Sequence, residues 1–360
     1  MGPLIAQPPA AGPEPSIAGS TGNSAPLDQW RGLALLLVLI SHGFYFTGRV
    51  YGIGRVGVNL FFFISGILVF RSLAKSRAAT KWDRSRNFWR RRLIRLYPSL
   101  ITFVIAMAPI VFLGQNRRGL PEHSDFSFFL RLVPGALFYL MNYVTPNISL
   151  GHLWSVSCEM QFYLLAPIIF LLGGDSTLRR NIVWGTLLLV LVGFGITQPF
   201  LSDATKYHFE FAVWPMMFGF FCEYKKAGLD RVVRPWATLL MRFSLGMLAA
   251  SLLLMLFGMS MKKVVIAAGV FVFLPCFLSY VTAQPVPGLA GRWLGWTGER
   301  TYSIYLWQQP LTICRFLPSV LHPVGALVSV FVGAAWFYVF ERPFLSPARR
   351  ELVTKPGLGS

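Results

Sequence analysis

Acidic side chains are scarce in this chain: 14 Asp and Glu stand against 33 Lys and Arg in 360 residues, and charged residues make up 13% of the total. With 54% of residues apolar, that leaves too little polar surface to cover a globule in water, which excludes a soluble domain. Cysteine is scarce as well. Cys158, Cys222, Cys276 and Cys314 stand singly in apolar segments, with neither a CxxC pair nor a metal-ligand spacing, so no disulfide framework, no zinc site and no other metal is expected. Self-similarity at a period of roughly 20 to 50 residues is missing, and so is the inverted-repeat pattern of transporters. Residues 1–26, rich in Pro, Gly, Ala and Ser, have no basic residue and no apolar periodicity, so a disordered tail is expected. The first apolar stretch, from Arg31 to Phe46, has no basic segment before it and no A-x-A site after it, and reads as retained, not cleaved.

What the chain does have is apolar length. Segments at 30–47, 55–73, 96–113, 126–143, 152–172, 182–199, 209–223, 239–258, 264–282, 301–318 and 324–340 are candidate spans, judged against the roughly 20 residues that cross a bilayer core of about 30 Å. The stretch 71–95 carries ten Lys or Arg against Asp83 alone and is expected to be a cytoplasmic loop. Segment 126–143, interrupted by Arg131 and Pro134, is the weakest span. If it does not cross, the cytoplasmic side collects 22 basic residues and the outer side seven; if it does, the count becomes 13 against 16. The first arrangement obeys the positive-inside rule. The expected fold is therefore an all-α integral membrane protein, a bundle of about ten transmembrane helices with both termini cytoplasmic. It has a tail at 1–26, a membrane domain at 27–344 and a basic tail at 345–360. Segment 126–143 becomes an interfacial or re-entrant piece of an outer loop, 114–151.

Ionisable groups inside a bilayer cost several kcal/mol unless they are paired, so each needs a reason. His42 follows Arg31 by eleven residues, which is three helical turns plus about 20°, so the two share a face, with His42 roughly 16 Å deeper and near mid-membrane. His42 reads either as a core histidine bonded to a neighbouring helix or as a reacting group. In the second span, GVNLFFFISGILVF, Asn59 lies in the outer half and Ser65 with Gly66 near the depth of His42, where a small pair permits close approach of a helix or a ligand. In GHLWSVSCEMQFYLLAP, His152, Glu159 and Tyr163 fall at spacings of seven and four on one face. A carboxylate there is either paired structurally, with Arg315 for example, or orients a neighbouring histidine in acid–base work. At NFWRRRLIRLYP, Arg92 and Arg95 stand side by side at i and i+3. Their forked guanidiniums suit phosphate, while topology and anionic headgroups also account for a basic loop.

These pieces in order resemble membrane acyltransferase family 3, bacterial integral-membrane O-acyltransferases of surface polysaccharides, glycolipids and secondary metabolites. The resemblance runs over residues 28–344: DQWRGLALLLVLISH with its Arg-x10-His spacing, GVNLFFFISGIL, the Arg-x-x-Arg of RLIR, HLWSVSCEMQFY, GERTYSIYLWQQP and the closing ERPF. It implies a transmembrane acyltransferase domain, an acyl-CoA donor (usually acetyl-CoA), a hydroxyl acceptor on a carbohydrate, glycolipid or small molecule, and a place in the cytoplasmic (inner) membrane among its lipids, with no nucleic-acid partner. By position it points to His42, Arg31 and Glu159 as catalytic and to Arg92 and Arg95 as binding the donor. Ser65, Asn59, His152, Trp154, Tyr163 and Gln308 are then substrate or structural support. Members often carry His where this chain has Gln308, so no proton transfer is assigned there, although the amide can hydrogen-bond. His42 is left as either general base or acyl carrier. A glycan transporter or flippase using His42, Glu159 and Arg315 as a relay is the alternative from another class, and a sensor or scaffold is a third. Only a basic tail is expected after residue 344, so acceptor recognition falls to the outer loops, chiefly 114–151.

Overall fold

A computed structural model of the chain describes residues 25–44, 51–76, 80–114, 126–144, 150–202, 205–256, 261–312 and 321–345. Among the described residues the secondary structure is all helical, with no strand. Helix α1 (Ala25–Gly43) starts inside the segment read as tail. Pro26 suits its first turn, where a missing N–H loses no partner, and Asp28 and His42 sit at the ends of the helix dipole that favour their charges. Helix α2 (Tyr51–Ala74) follows, and then α3 (Lys81–Gly114), 34 residues long. Thr80 and Asp83 cap α3 reciprocally: the Asp83 N–H donates to Thr80 Oγ1 at 3.0 Å and the Thr80 hydroxyl donates to Asp83 Oδ2 at 2.7 Å. The basic stretch expected as a loop over 71–95 is thus mostly helix, with a short connection after Ala74. Arg and Lys are good helix formers, so a charge run speaks to membrane side and not to secondary structure.

Helix α4 (Phe126–Leu137) has 12 residues and leads to a 3-10 turn at Met141–Tyr143; about 18 Å of helix is too short to cross a bilayer. Helices α5 (Leu153–Leu172) and α6 (Thr177–Thr197) have spanning length. Segment 209–223 is broken into α7 (Phe209–Ala212) and α8 (Trp214–Tyr224), where Pro215 occupies the first turn of the second piece. After α9 (Lys226–Val233), the pair α10 (Ala237–Leu256) and α11 (Met261–Thr282) pack on each other. The stretch 283–300, expected as a loop, contains α12 (Gly288–Glu299), which packs along α1. Its 12 residues are too few for a span, but its small face lets the backbones meet: a Cβ at Gly298 would lie 1.7 Å from the Asp28 carbonyl oxygen. Helices α13 (Thr301–Thr312) and α14 (His322–Trp336) pair, and a π-helical turn at Phe337–Glu341 and a 3-10 turn at Arg342–Phe344 follow.

By length and composition, five helices among the described residues can cross a membrane: Ile53–Ala74, Lys81–Leu113, Leu153–Leu172, Thr177–Thr197 and His322–Phe344. Their burial ranks them, since 72% of the α2 window is covered by protein and only 6% of the α6 window. Helix α2 is central, and α6 turns apolar side chains such as Leu189 and Ile196 outward. Apolar belts of that extent are a liability in water and the natural surface in lipid, so the molecule is a membrane protein. Helices α1 and α2 run side by side at the centre, with α12, α13 and α14 against α1 and α5, α8 and α11 against α2. The small pair in the second span packs as its size permits: a Cβ at Gly66 would approach the Met216 carbonyl oxygen of α8 to 1.9 Å.

Candidate active site

Between α1, α2, α3, α5 and α13 lies a cavity of about 190 Å³ whose lining includes Arg31, Ser65, Arg92, Arg95, Glu159 and Tyr163, with Phe61 and Tyr302 also in its wall. Five of the residues singled out in the sequence as catalytic or donor-binding, or as their support, therefore meet around Glu159. The Glu159 Oε1 accepts hydrogen bonds from the Ser65 hydroxyl at 2.7 Å and from the Tyr163 hydroxyl one turn away. That pair of donors stabilises a carboxylate that is only 5% exposed. Arg315, considered in the sequence as its partner, lies outside the described residues, as do Cys314 and the loop residues 115–125 and 145–149.

The three arginines of the chamber differ in what already holds them. Arg95 donates from Nε and from a terminal nitrogen to Glu341 Oε1, both at 3.0 Å, and the other Glu341 oxygen accepts from Ser303 at 2.8 Å. With Glu341 fully buried, this is a structural ion pair. Arg31 reaches Asp28 only at 3.7 Å, lies over the Phe61 ring, and has a buried Nε without a partner. The Arg92 guanidinium lies 4.6 Å from the Tyr163 ring centroid and 5.4 Å from that of Phe88, and no carboxylate pairs with it among the described residues. Cation–π contacts hold the plane of Arg92 and leave its N–H edge available to an anion. Arg92 and Arg95, neighbours in the sequence, thus differ: Arg92 is held by ring faces and Arg95 by a buried carboxylate. Glu341 is not among the residues that the sequence points to; its signal there is a carboxylate at the end of an apolar stretch, in ERPF.

A narrow apolar slot of about 30 Å³ lies beside the chamber between α1, α2, α5 and α13, with Phe61, Glu159 and Tyr302 lining both, and is lined further on by Ala34, Leu35, Val38, Val58, Val156 and Tyr305. One turn beyond Val38 on α1 is His42, and one turn beyond Tyr305 on α13 is Gln308. These two side chains meet: the His42 Nδ1 hydrogen-bonds the Gln308 carbonyl oxygen. His42 occupies the last turn of α1, so it sits at a helix end, not within a continuous span as its spacing from Arg31 suggested. Glu159 is not its partner. His152, expected on one face with Glu159, opens α5 and turns instead to α13, where its Nε2 donates to the Leu306 carbonyl at 2.9 Å. The Tyr305 hydroxyl accepts from Ser155 at 2.7 Å and donates to the His152 carbonyl at 3.0 Å.

Asn59 is half-buried on α2 and does not line the chamber. Trp154 stands apart too, edge-on to Phe62 and facing Tyr207, with the Arg55 guanidinium over both rings at 5.4 and 5.3 Å. Among the described residues, no group of three or more His, Cys, Asp or Glu side chains is placed to hold a metal.

A helical membrane protein with a cation-rich chamber, an apolar slot beside it and a hydrogen-bonded histidine one turn past the slot-lining residues of α1 has the features of a membrane-embedded enzyme. The family model described as an acyltransferase domain matches residues 25–341, and the chain belongs to that family. The O-acetyltransferase OatA of Staphylococcus aureus strain NCTC 8325 / PS 47 is 28% identical over 188 residues, 47% of this chain and 28% of that protein, and OatA of strain COL matches to the same extent. The matched stretch thus spans under a third of the length of these relatives. No solved structure matches the chain.

Proposed function

We propose that the protein is an O-acyltransferase that moves an acyl group, acetyl above all, from acyl-CoA to a hydroxyl of a carbohydrate or glycoconjugate across the inner membrane. The observation that supports this reading is the succession along one helix, α1, of Arg31 in the chamber, Ala34, Leu35 and Val38 on the slot, and His42 one turn further, bonded to Gln308. The name of the OatA relatives, O-acetyltransferase, and the family membership point the same way. In this reading the chamber faces the cytoplasm, and Arg92 with Arg31 binds the phosphates of the donor, their charge strengthened by the low dielectric around them. The slot, at about 30 Å³, has room for only one or two water-sized groups, so in this reading the flexible arm of CoA parts the helices there to bring the thioester toward His42. Glu159, held by Ser65 and Tyr163, offsets the arginines and keeps the chamber polar between turnovers.

At the thioester, His42 acts as general base on the acceptor hydroxyl or as acyl carrier. In the first case the hydroxyl proton passes to the imidazole, the oxygen bonds the carbonyl carbon, the C–S bond breaks, and the CoA thiolate takes the proton. In the second the imidazole nitrogen itself bonds the carbonyl carbon, the C–S bond breaks and CoA leaves as the thiolate; the acceptor oxygen then bonds the carbonyl carbon, the C–N bond breaks to return neutral imidazole, and the hydroxyl proton passes to solvent, where it balances the thiolate. Both require His42. His42→Ala is expected to abolish acyl transfer while the protein still accumulates in membranes, as read by mass spectrometry of surface glycans and extracted metabolites together with a membrane immunoblot. Unchanged acylation would remove His42 from the mechanism.

A further inference from the structure

Gln308 carries the inference. It is fully buried on α13, its carbonyl oxygen meets His42 Nδ1, and its amide nitrogen has no partner. A carbonyl oxygen only accepts hydrogen bonds, so the proton of a neutral His42 imidazole lies on Nδ1 and the lone pair lies on Nε2. His152, packed at the same end of the bundle, is held the other way round: the Leu306 carbonyl takes its Nε2–H, and its buried Nδ1 is left without a partner. Two histidines near the slot are thus set as opposite tautomers by two carbonyl oxygens.

We infer that Gln308 is a positioning residue that fixes the tautomer and ring orientation of His42, so that Nε2 is the atom that takes the proton or the acyl group. The inference rests on the O-acyltransferase reading for its chemistry, but the tautomer itself does not depend on that reading. The role is one that carboxylates play beside catalytic histidines, here performed by a neutral amide. In the base pathway, Nε2 receives the hydroxyl proton and the resulting imidazolium keeps its Nδ1–H on Gln308. In the carrier pathway the acyl group bonds Nε2, and the Nδ1–H is shared with the same oxygen. In neither does Gln308 exchange a proton. Its unpartnered amide nitrogen argues against a role as packing alone, since a buried donor without an acceptor costs stability that an apolar side chain of the same shape would not.

The experiment compares two substitutions whose order reverses between the two roles. Gln308→Met keeps shape and removes the acceptor; Gln308→Glu keeps an accepting oxygen in either protonation state. The full chain is reconstituted in phosphatidylethanolamine–phosphatidylglycerol vesicles, a solubilised cell-surface glycan fraction is added as hydroxyl acceptor, and the release of CoA thiol from acetyl-CoA is measured. Positioning predicts that Gln308→Met lowers kcat about 100-fold with KM for acetyl-CoA within about twofold and an unchanged or higher melting temperature. Gln308→Glu is expected to recover most of the rate. Packing predicts the reverse, with Met tolerated and the buried carboxyl harmful. Met at wild-type kcat, or equal loss in both folded variants, overturns the inference. Should Gln308→Met fail to fold, Gln308→Leu replaces it.

Nitrogen NMR of the ¹⁵N-histidine-labelled wild-type chain, assigned by substituting each of the five histidines, reads the tautomer without any Gln308 variant. Protonation of His42 at Nδ1 is expected, and a proton on Nε2 overturns the inference. If wild type releases no CoA but His42 is the Nδ1–H tautomer, the functional reading fails and the positioning stands.

Discussion

Three arginines of one chamber show how far residue type alone goes. All three bring the same charge to the cavity, yet Arg95 is held by Glu341, Arg31 only loosely by Asp28, and Arg92 by ring faces. A guanidinium whose edge carries no carboxylate keeps its hydrogen-bonding capacity for a ligand. Arg92→Met is therefore expected to raise KM for acetyl-CoA about tenfold or more, an interaction worth roughly 1.4 kcal/mol or above, with little change in kcat or melting temperature. Steady-state kinetics beside a thermal melt of the same preparation measures this, and Arg92→Lys should recover part of the affinity as a point charge without a fork. The proximity of Arg92 and Arg95 was legible from their i, i+3 spacing, as was that of Glu159 and Tyr163 from i, i+4. Their division of labour was not, because Glu341 is 246 residues from Arg95.

At the scale of elements, the last π-helical turn and α3 are tied by the Arg95–Glu341 pair, and the wide turn is what brings Glu341 to Arg95 and Ser303. Breaking a buried ion pair leaves one charge without compensation, at about 3–5 kcal/mol, whereas replacing both partners by apolar groups removes the desolvation cost along with the attraction. Glu341→Gln is expected to lower the melting temperature in detergent sharply, and the double change Arg95→Met with Glu341→Met to restore most of it. Equal melting temperatures for the wild type and Glu341→Gln would show that the tie is not structural. The misread elements share one cause. The basic part of α3 and the short α12 lack an apolar run of spanning length, so a reading keyed to hydropathy assigns them to loops. Their helices are stabilised by a cap at Thr80 and by backbone contact with α1, and neither depends on hydropathy.

For the whole molecule, the charge distribution predicts the side on which each end of the chamber–slot axis opens. Lys81 on α3 belongs to the arginine-bearing helix, and Lys206 belongs to a segment expected on the other side. Cys158, Cys222 and Cys276 are buried and free, so they give little background to a membrane-impermeant maleimide. In chains that also carry Cys314→Ser, Lys206→Cys is expected to label in intact cells and Lys81→Cys only after lysis. The reverse pattern would turn the donor chamber outward and overturn the direction of transfer proposed above.

Membrane residence, helical secondary structure and the shared face of Arg31 and His42, three turns apart, are legible in the residues alone. Each of these follows from composition or from helical period, which are local properties. Motifs read in order also determined the family. Which polar groups meet emerges from the packing of the helices: Gln308 with His42, Ser65 with Glu159, and Leu306 with His152. These partners are separated by 266, 94 and 154 residues. No periodicity reaches across such distances, and it is the packing of α13 on α1 and of α5 on α2 that brings the first two pairs into contact.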